Sequence, residues 1–88
     1  MNNQAIKPSK LVSAIYVSEW EEGDIYTSCL VDTDTLTITD VEVVESANEH
    51  HESDYIEVCV GGKKLMLDAE DGQLTEAGKE ALRRSLQQ

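Results

Sequence analysis

The sequence predicts an α+β fold: an antiparallel sheet of about five strands, a meander followed by a hairpin, with one C-terminal helix packed on it. Three features carry this. Between Leu11 and Val60, apolar and β-branched residues recur at every second position, the period at which a strand turns one face to a core. The pair Gly61-Gly62 stands between two such runs, and a two-residue type I′ hairpin needs positive φ at both central positions. Beyond residue 73 the apolar spacing becomes that of a helix.

The elements follow in order. Residues 1–10, with Asn, Gln, Lys and the single Pro8, form a flexible N-terminal arm, and residues 11–88 form one small domain. In LVSAIYVS, Leu11, Ser13, Ile15 and Val17 share one face while Val12, Ala14, Tyr16 and Ser18 share the other. Both faces are semi-apolar, which marks an inner strand. SEWEEGD is a charged connection. In DIYTSCLVD, Ile25, Thr27, Cys29 and Val31 point one way and Tyr26, Ser28 and Leu30 the other. Asp32 to Thr35 closes a turn through aspartate side chains bonding to nearby amides.

TLTITDVEVVE changes phase, since Leu36 and Ile38 have one parity and Val41 and Val43 the other; a bulge near Thr39-Asp40 keeps both pairs on the core side. Residues 46–53 lack periodicity and are read as a wet loop. In YIEVCV, Ile56, Val58 and Val60 face inward, and KKLMLDA returns after the Gly pair. AEDGQ is a turn. In LTEAGKEALRRSLQQ, Thr75 is the N-cap, Glu76 and Arg83-Arg84 suit the two ends of the helix dipole, and Leu74, Gly78, Leu82 and Leu86, flanked by Ala77 and Ala81, form the apolar stripe. LTEAGKEAL resembles the strand-to-helix junction of winged-helix regulators of the multiple-antibiotic-resistance type. Its nine residues are preceded by no helix-turn-helix, so they are read as a cap followed by a helix.

Charge is the most informative aspect of composition. Eighteen acidic residues face seven Lys and Arg, a formal net charge of −11. Between Lys10 and Lys63 there is no Lys or Arg, whereas thirteen acids fall there, from Glu19 to Glu57. Such a field repels nucleic acid and anionic lipid and favours basic partners. No apolar stretch reaches the roughly 18–20 residues of a membrane span, no secretory signal pattern opens the chain, and the expected location is cytoplasmic. Cys29 and Cys59 lack metal-ligand spacing and are read as reduced strand residues, with one disulfide available if adjacent strands bring them together.

Catalysis has no signature here. There is no G-x-S-x-G elbow, no Gly-rich phosphate loop and no Cys–His pairing by motif, and 88 residues leave little bulk for a cleft between acids such as Glu21 and Glu22. Neither DTD at 32–34 nor DAEDGQLTE at 68–76 has the EF-hand spacing. The chain is therefore expected to be no enzyme, to hold no cofactor and to hold no metal.

The candidate site residues are Glu19, Trp20, Glu21, Glu22, Asp32, Asp34, Asp40 and Glu42, whose i, i+2 acid pairs are expected to form a ladder on one sheet face. The expected function is a small binding or regulatory module that engages a basic protein surface; its narrower form is a nucleic-acid-mimic inhibitor of the kind phages and plasmids encode. An alternative uses the loop of His50 and His51, flanked by acids in NEHHESD, as a small-ligand or metal-responsive module or as a pH-responsive element, since these two are the only groups in the acidic stretch able to become cationic near neutral pH. Trp20, inside an acidic run, is expected to lie as a lid on the sheet edge. A homodimer with part of the sheet covered by another copy is also expected, because the core is thin and poor in aromatics.

Overall fold

The β-branched run from Leu11 extends further than its apolar part. In the computed structural model, which describes residues 10–41 and 51–87, β1 spans Leu11–Trp20 and pairs with β2, Gly23–Asp32, across the two-residue turn Glu21-Glu22. Glu19 and Trp20, expected in a connection, thus end a strand. β3 is Thr37–Thr39, β4 is His51–Val60, β5 is Lys63–Glu70, β6 is Gln73–Leu74, and α1 is Glu76–Leu86. Residues 1–9 of the expected arm, together with Glu42, Val43 and His50, lie outside the described residues.

The strands form one antiparallel sheet in the order β3-β2-β1-β4-β5-β6, so the α+β arrangement holds, with six strands among the described residues where about five are expected. Two meanders, β1-β2-β3 and β4-β5-β6, meet along β1 and β4. β1 is an inner strand, as its two semi-apolar faces require. The sheet curls nearly into a barrel. Its outer strands β3 and β6 are joined by one side chain: the Gln73 amide accepts from the Ile38 N–H at 2.9 Å and donates to the Ile38 carbonyl at 2.8 Å.

Turn chemistry explains the connections. Gly61 and Gly62 have φ of 59° and 81°, the double left-handed geometry of a type I′ turn. Asp32 Oδ1 accepts from the amides of Asp34 at 2.8 Å and Thr35 at 3.2 Å, closing the turn into β3. The expected phase change near Thr39-Asp40 runs on to Val43, outside the described residues, and is described only as far as Val41. Asp40 is left-handed, φ 57°, and ends β3; Leu36 and Val41 still pack on the core.

The register stacks the inner side chains in rows. Thr27, Tyr16, Ile56 and Leu67 form one row, and Cys29, Ala14, Val58 and Leu65 form the next. With Val31, Ile38, Ala69 and Leu74 they build the core. α1 covers it through Leu82, which is fully buried and contributes about 1.5–3 kcal/mol by that burial. Thr75 caps the helix, its Oγ1 accepting from the Gly78 N–H at 3.2 Å. Gly78 is required for approach: a Cβ there would sit 2.1 Å from the Asp68 carbonyl oxygen of β5. The stripe is narrower than expected, since Ala77, Ala81 and Leu86 are exposed.

Two expectations are corrected. Residues 51–53 are the start of β4 and not part of a loop. The cysteines cannot pair within the chain: β2 and β4 lie on opposite sides of β1, Cys29 points into the core, Cys59 is exposed on the other face, and both are free. Burial pushes the Cys29 thiol above its ordinary value.

Candidate functional site

Strand direction determines which charges meet. β1 runs toward the Glu21-Glu22 turn; β4, antiparallel to it, starts at the same end with His51 opposite Trp20; β5 returns to that end, with Ala69 opposite Asp54. Three acidic groups distant in sequence therefore converge. Glu19, Glu21, Glu22 and Asp24 come from the first hairpin, Glu52 and Asp54 from the start of β4, and Asp68, Glu70 and Asp71 from β5 and its turn. These are nine carboxylates, and the strand ends and turns that bear them include no Lys or Arg among the described residues, Lys63 and Lys64 standing at the other end of β5. Most are exposed; Glu19 is half-buried and Asp54 buried.

The opposite end is of mixed charge. Lys10 lies 3.6 Å from Asp34, Lys64 lies 3.4 Å from Glu57, and Lys63 flanks the Gly61-Gly62 turn. A ten-residue strand separates the two ends by about 30 Å. The candidate residues accordingly divide. Glu19, Trp20, Glu21 and Glu22 belong to the acidic end. Asp32 and Asp34 form the turn at the far end, where Asp32 is engaged by backbone amides, and Asp40 lies along the sheet beyond Thr39. The single ladder expected from i, i+2 pairs is not what the register builds. Glu52, Asp68, Glu70 and Asp71 are absent from the sequence-based set, because only the pairing of β1 with β4 and of β4 with β5 brings them beside the first hairpin.

A buried polar network holds this end together. The Tyr16 hydroxyl donates to Asp54 Oδ2 at 2.5 Å and accepts from the Gly72 N–H at 2.8 Å. Asp54 Oδ1 is bonded to His51 Nε2, also at 2.5 Å, which places a proton on Nε2 when the carboxylate accepts. Asp54 is only 5% exposed, so this set of partners is what allows a carboxyl to sit at the sheet interior. Burial, followed by the bond to Asp54, drives the Tyr16 phenol far above its ordinary value. His51 in turn contacts the Trp20 ring, centroids 4.8 Å apart. Trp20 is thus a half-buried lid over His51, and Ser53 donates to Glu19 across β1 and β4.

These contacts bear on the histidine readings. The Nε2 of His51 is engaged by Asp54 and its ring is covered by Trp20, so its place is inside the scaffold of the acidic end rather than on a wet loop. Among the described residues no group of three or more His, Cys, Asp and Glu is placed to hold a metal ion. A polar groove of about 350 Å³ opens beside His51, between Glu52 and Ser53 on β4 and Asp68, Glu70 and Thr75. Partial burial, and then the carboxylates of Glu57, Glu19 and Asp24 nearby, push the Tyr55 phenol up.

No protein-family model matches the chain, and neither a curated protein nor a solved structure matches it.

Proposed function

We propose that the chain is a small non-enzymatic binding module whose acidic end engages a basic protein surface. The observation that supports this reading most is the convergence of nine carboxylates from three separate segments at one end of the sheet, with the cations of the sheet at the other. Separating charge in this way costs stability through like-charge repulsion, and that cost is offset when a cationic surface binds. The groove between β4 and β5 adds shape to the charge: its walls of Glu52, Asp68 and Glu70, with hydroxyls from Ser53 and Thr75, suit the ammonium or guanidinium of one inserted Lys or Arg. Because the network of Tyr16, Asp54 and His51 lies directly beneath, these acids sit on a fixed base rather than on free chain.

The narrower form, mimicry of nucleic acid, has a distinct consequence. The partner then releases bound duplex DNA or RNA as the chain is added. The test of the broader reading compares two variants for binding to a basic partner recovered at low salt. Glu21→Gln/Glu22→Gln/Asp24→Asn is expected to weaken binding at least tenfold and to flatten its salt dependence. Asp34→Asn/Asp40→Asn, at the far end and along the sheet, is expected to change it less than threefold. Equal effects of the two sets refute the assignment to the acidic end.

A further inference from the structure

Two of the three tyrosines stand on the outer face of the sheet, toward its acidic end. One register row runs Tyr26, Val17, Tyr55 across β2, β1 and β4, and the next row toward the Glu21-Glu22 turn runs Asp24, Glu19, Ser53. Val17 points away from the core yet is fully buried, while Tyr26 is 63% exposed and Tyr55 is half-buried. Tyr55 contributes that cover. After burial, the groups that push its phenol up include Asp24 of β2, two strands away, so the ring leans back across Val17 and does not stand upright on β4. The result is an aromatic platform with carboxylates on two sides, Asp24 and Glu19 along one and Glu57 along the other. The Tyr26 hydroxyl lies 3.5 Å from Asp24 Oδ2. Neither Asp24 nor Glu19 forms a salt bridge among the described residues, whereas Glu57 lies 3.4 Å from Lys64 and Asp68 accepts from the Thr75 hydroxyl at 2.7 Å.

We infer that this platform seats one arginine side chain of the basic partner, the guanidinium stacked on Tyr26 and Tyr55 with its edge turned to Asp24 and Glu19. The inference rests on the proposed function and adds to it the residue type that the partner presents. Charge complementarity selects the occupant. Exposed rings alone suit any apolar group, but the carboxylates beside these rings repel anions and favour a cation, and the ring faces attract one as well. Strands two apart in a sheet are separated by about 9.6 Å, so a cation midway between the rings lies within the roughly 6 Å of each at which that attraction acts. Arginine fits better than lysine. Its planar, weakly hydrated guanidinium lies flat on a tyrosine and keeps its in-plane N–H groups for carboxylates, whereas an ammonium holds its water. Stacking needs a flat face and no enclosing cleft, so an outward-curved sheet can offer it. Tyrosine and arginine are also the side chains on which binding energy concentrates. Asp24 and Glu19 already belong to the partner-binding end, so the two assignments use the same carboxylates for the same partner.

The test titrates the full chain with tetra-arginine and with tetra-lysine at about 50 mM NaCl, where screening is weak, and reads binding by NMR. Tetra-arginine is expected to show Overhauser contacts from its δ-methylenes to the rings of Tyr26 and Tyr55, and to bind about three- to fivefold more tightly than tetra-lysine. Tyr26→Leu and Tyr55→Leu keep an apolar side chain and remove the ring. Each is expected to raise the dissociation constant for tetra-arginine about threefold, and both together about tenfold, while Tyr26→Phe/Tyr55→Phe stays within about twofold of the parent. Circular dichroism checks that each variant folds, and the phenylalanine pair separates lost stacking from lost structure. A leucine pair that binds tetra-arginine like the parent, tetra-lysine bound as tightly as tetra-arginine, or no contact to either ring overturns the inference. If any of these occurs while Glu21→Gln/Glu22→Gln/Asp24→Asn still weakens tetra-arginine binding, the inference falls and the proposed function stands. Tetra-arginine binding that is absent, or indifferent to that triple variant, refutes the proposed function and the inference with it.

Discussion

Replacing Tyr16 by Phe isolates the network under the acidic end. The ring stays, so packing in the row of Thr27, Ile56 and Leu67 is kept, and one oxygen is removed. Two bonds go with it: the donation to Asp54 at 2.5 Å and the acceptance from the Gly72 amide at 2.8 Å. Both partners are buried. A hydrogen bond to a charged acceptor contributes about 1.5–3 kcal/mol, and a buried amide left unpaired costs about 1–3 kcal/mol, so the expected loss is about 3–5 kcal/mol. For a chain of 88 residues, whose whole stability is about 4–13 kcal/mol, that is a large share. With an unfolding entropy of about 2.1 cal/mol/K per residue, it lowers Tm by about 15 °C or more.

Thermal and urea unfolding, followed by circular dichroism and the fluorescence of Trp20, measure it directly. The pH dependence supplies a second reading. Tyr16 and Cys29 both have folded-state values raised above the ordinary 10.0 and 9.0. In the unfolded chain they ionise near those ordinary values, while in the fold they remain neutral, so their contribution is fully present below about pH 9 and is lost as pH rises beyond it. Tyr16→Phe is expected to show a shallower loss above pH 10. A variant within 1 kcal/mol of the parent, with the same alkaline slope, refutes the account of Asp54 as a buried carboxyl sustained by Tyr16.

Other perturbations test other links. Gly78→Ala raises helix propensity by about 1 kcal/mol yet is expected to destabilise the protein, because the new methyl meets the Asp68 carbonyl; a gain in Tm contradicts the close packing of α1 on β5. Leu82→Ala is expected to cost about 2–5 kcal/mol by urea titration. Gln73→Leu removes the bridge between β3 and β6 and is expected to accelerate hydrogen exchange at the Ile38 amide at least tenfold while leaving Ile56 in the central strands unchanged. Raising NaCl from 20 to 500 mM is expected to raise Tm, as it screens repulsion among the acids at one end.

Much of the sheet is legible from residue order because local chemistry and tertiary context agree. Period-2 alternation in DIYTSCLVD and YIEVCV locates inner and outer faces, Gly61-Gly62 carries its own turn geometry, and Thr75 announces the helix. The start of β4 is not legible, since HESD reads as solvated until Tyr16 and His51 are seen to satisfy Asp54. β6 has only two residues, and it is defined by what β5 and Gln73 do to it. The acidic end is half legible. The run Glu19 to Asp24 is plain, but its union with Glu52 and with Asp68 to Asp71 depends on the pairing of β1 with β4, a long-range choice that no local pattern encodes. The ladder inferred from acid spacing failed for a related reason: Glu21 is in a turn and Asp32 ends a strand, so alternation does not govern either pair.

The measurement closest to the central claim is affinity capture with the full chain as bait at 50 and 500 mM NaCl, in parallel with the Glu21→Gln/Glu22→Gln/Asp24→Asn bait, and with mass spectrometry of what is retained. The account predicts a discrete basic protein held by the parent at low salt, released at high salt and lost by the neutralised bait. Capture of the same protein by both baits with no dependence on salt contradicts it.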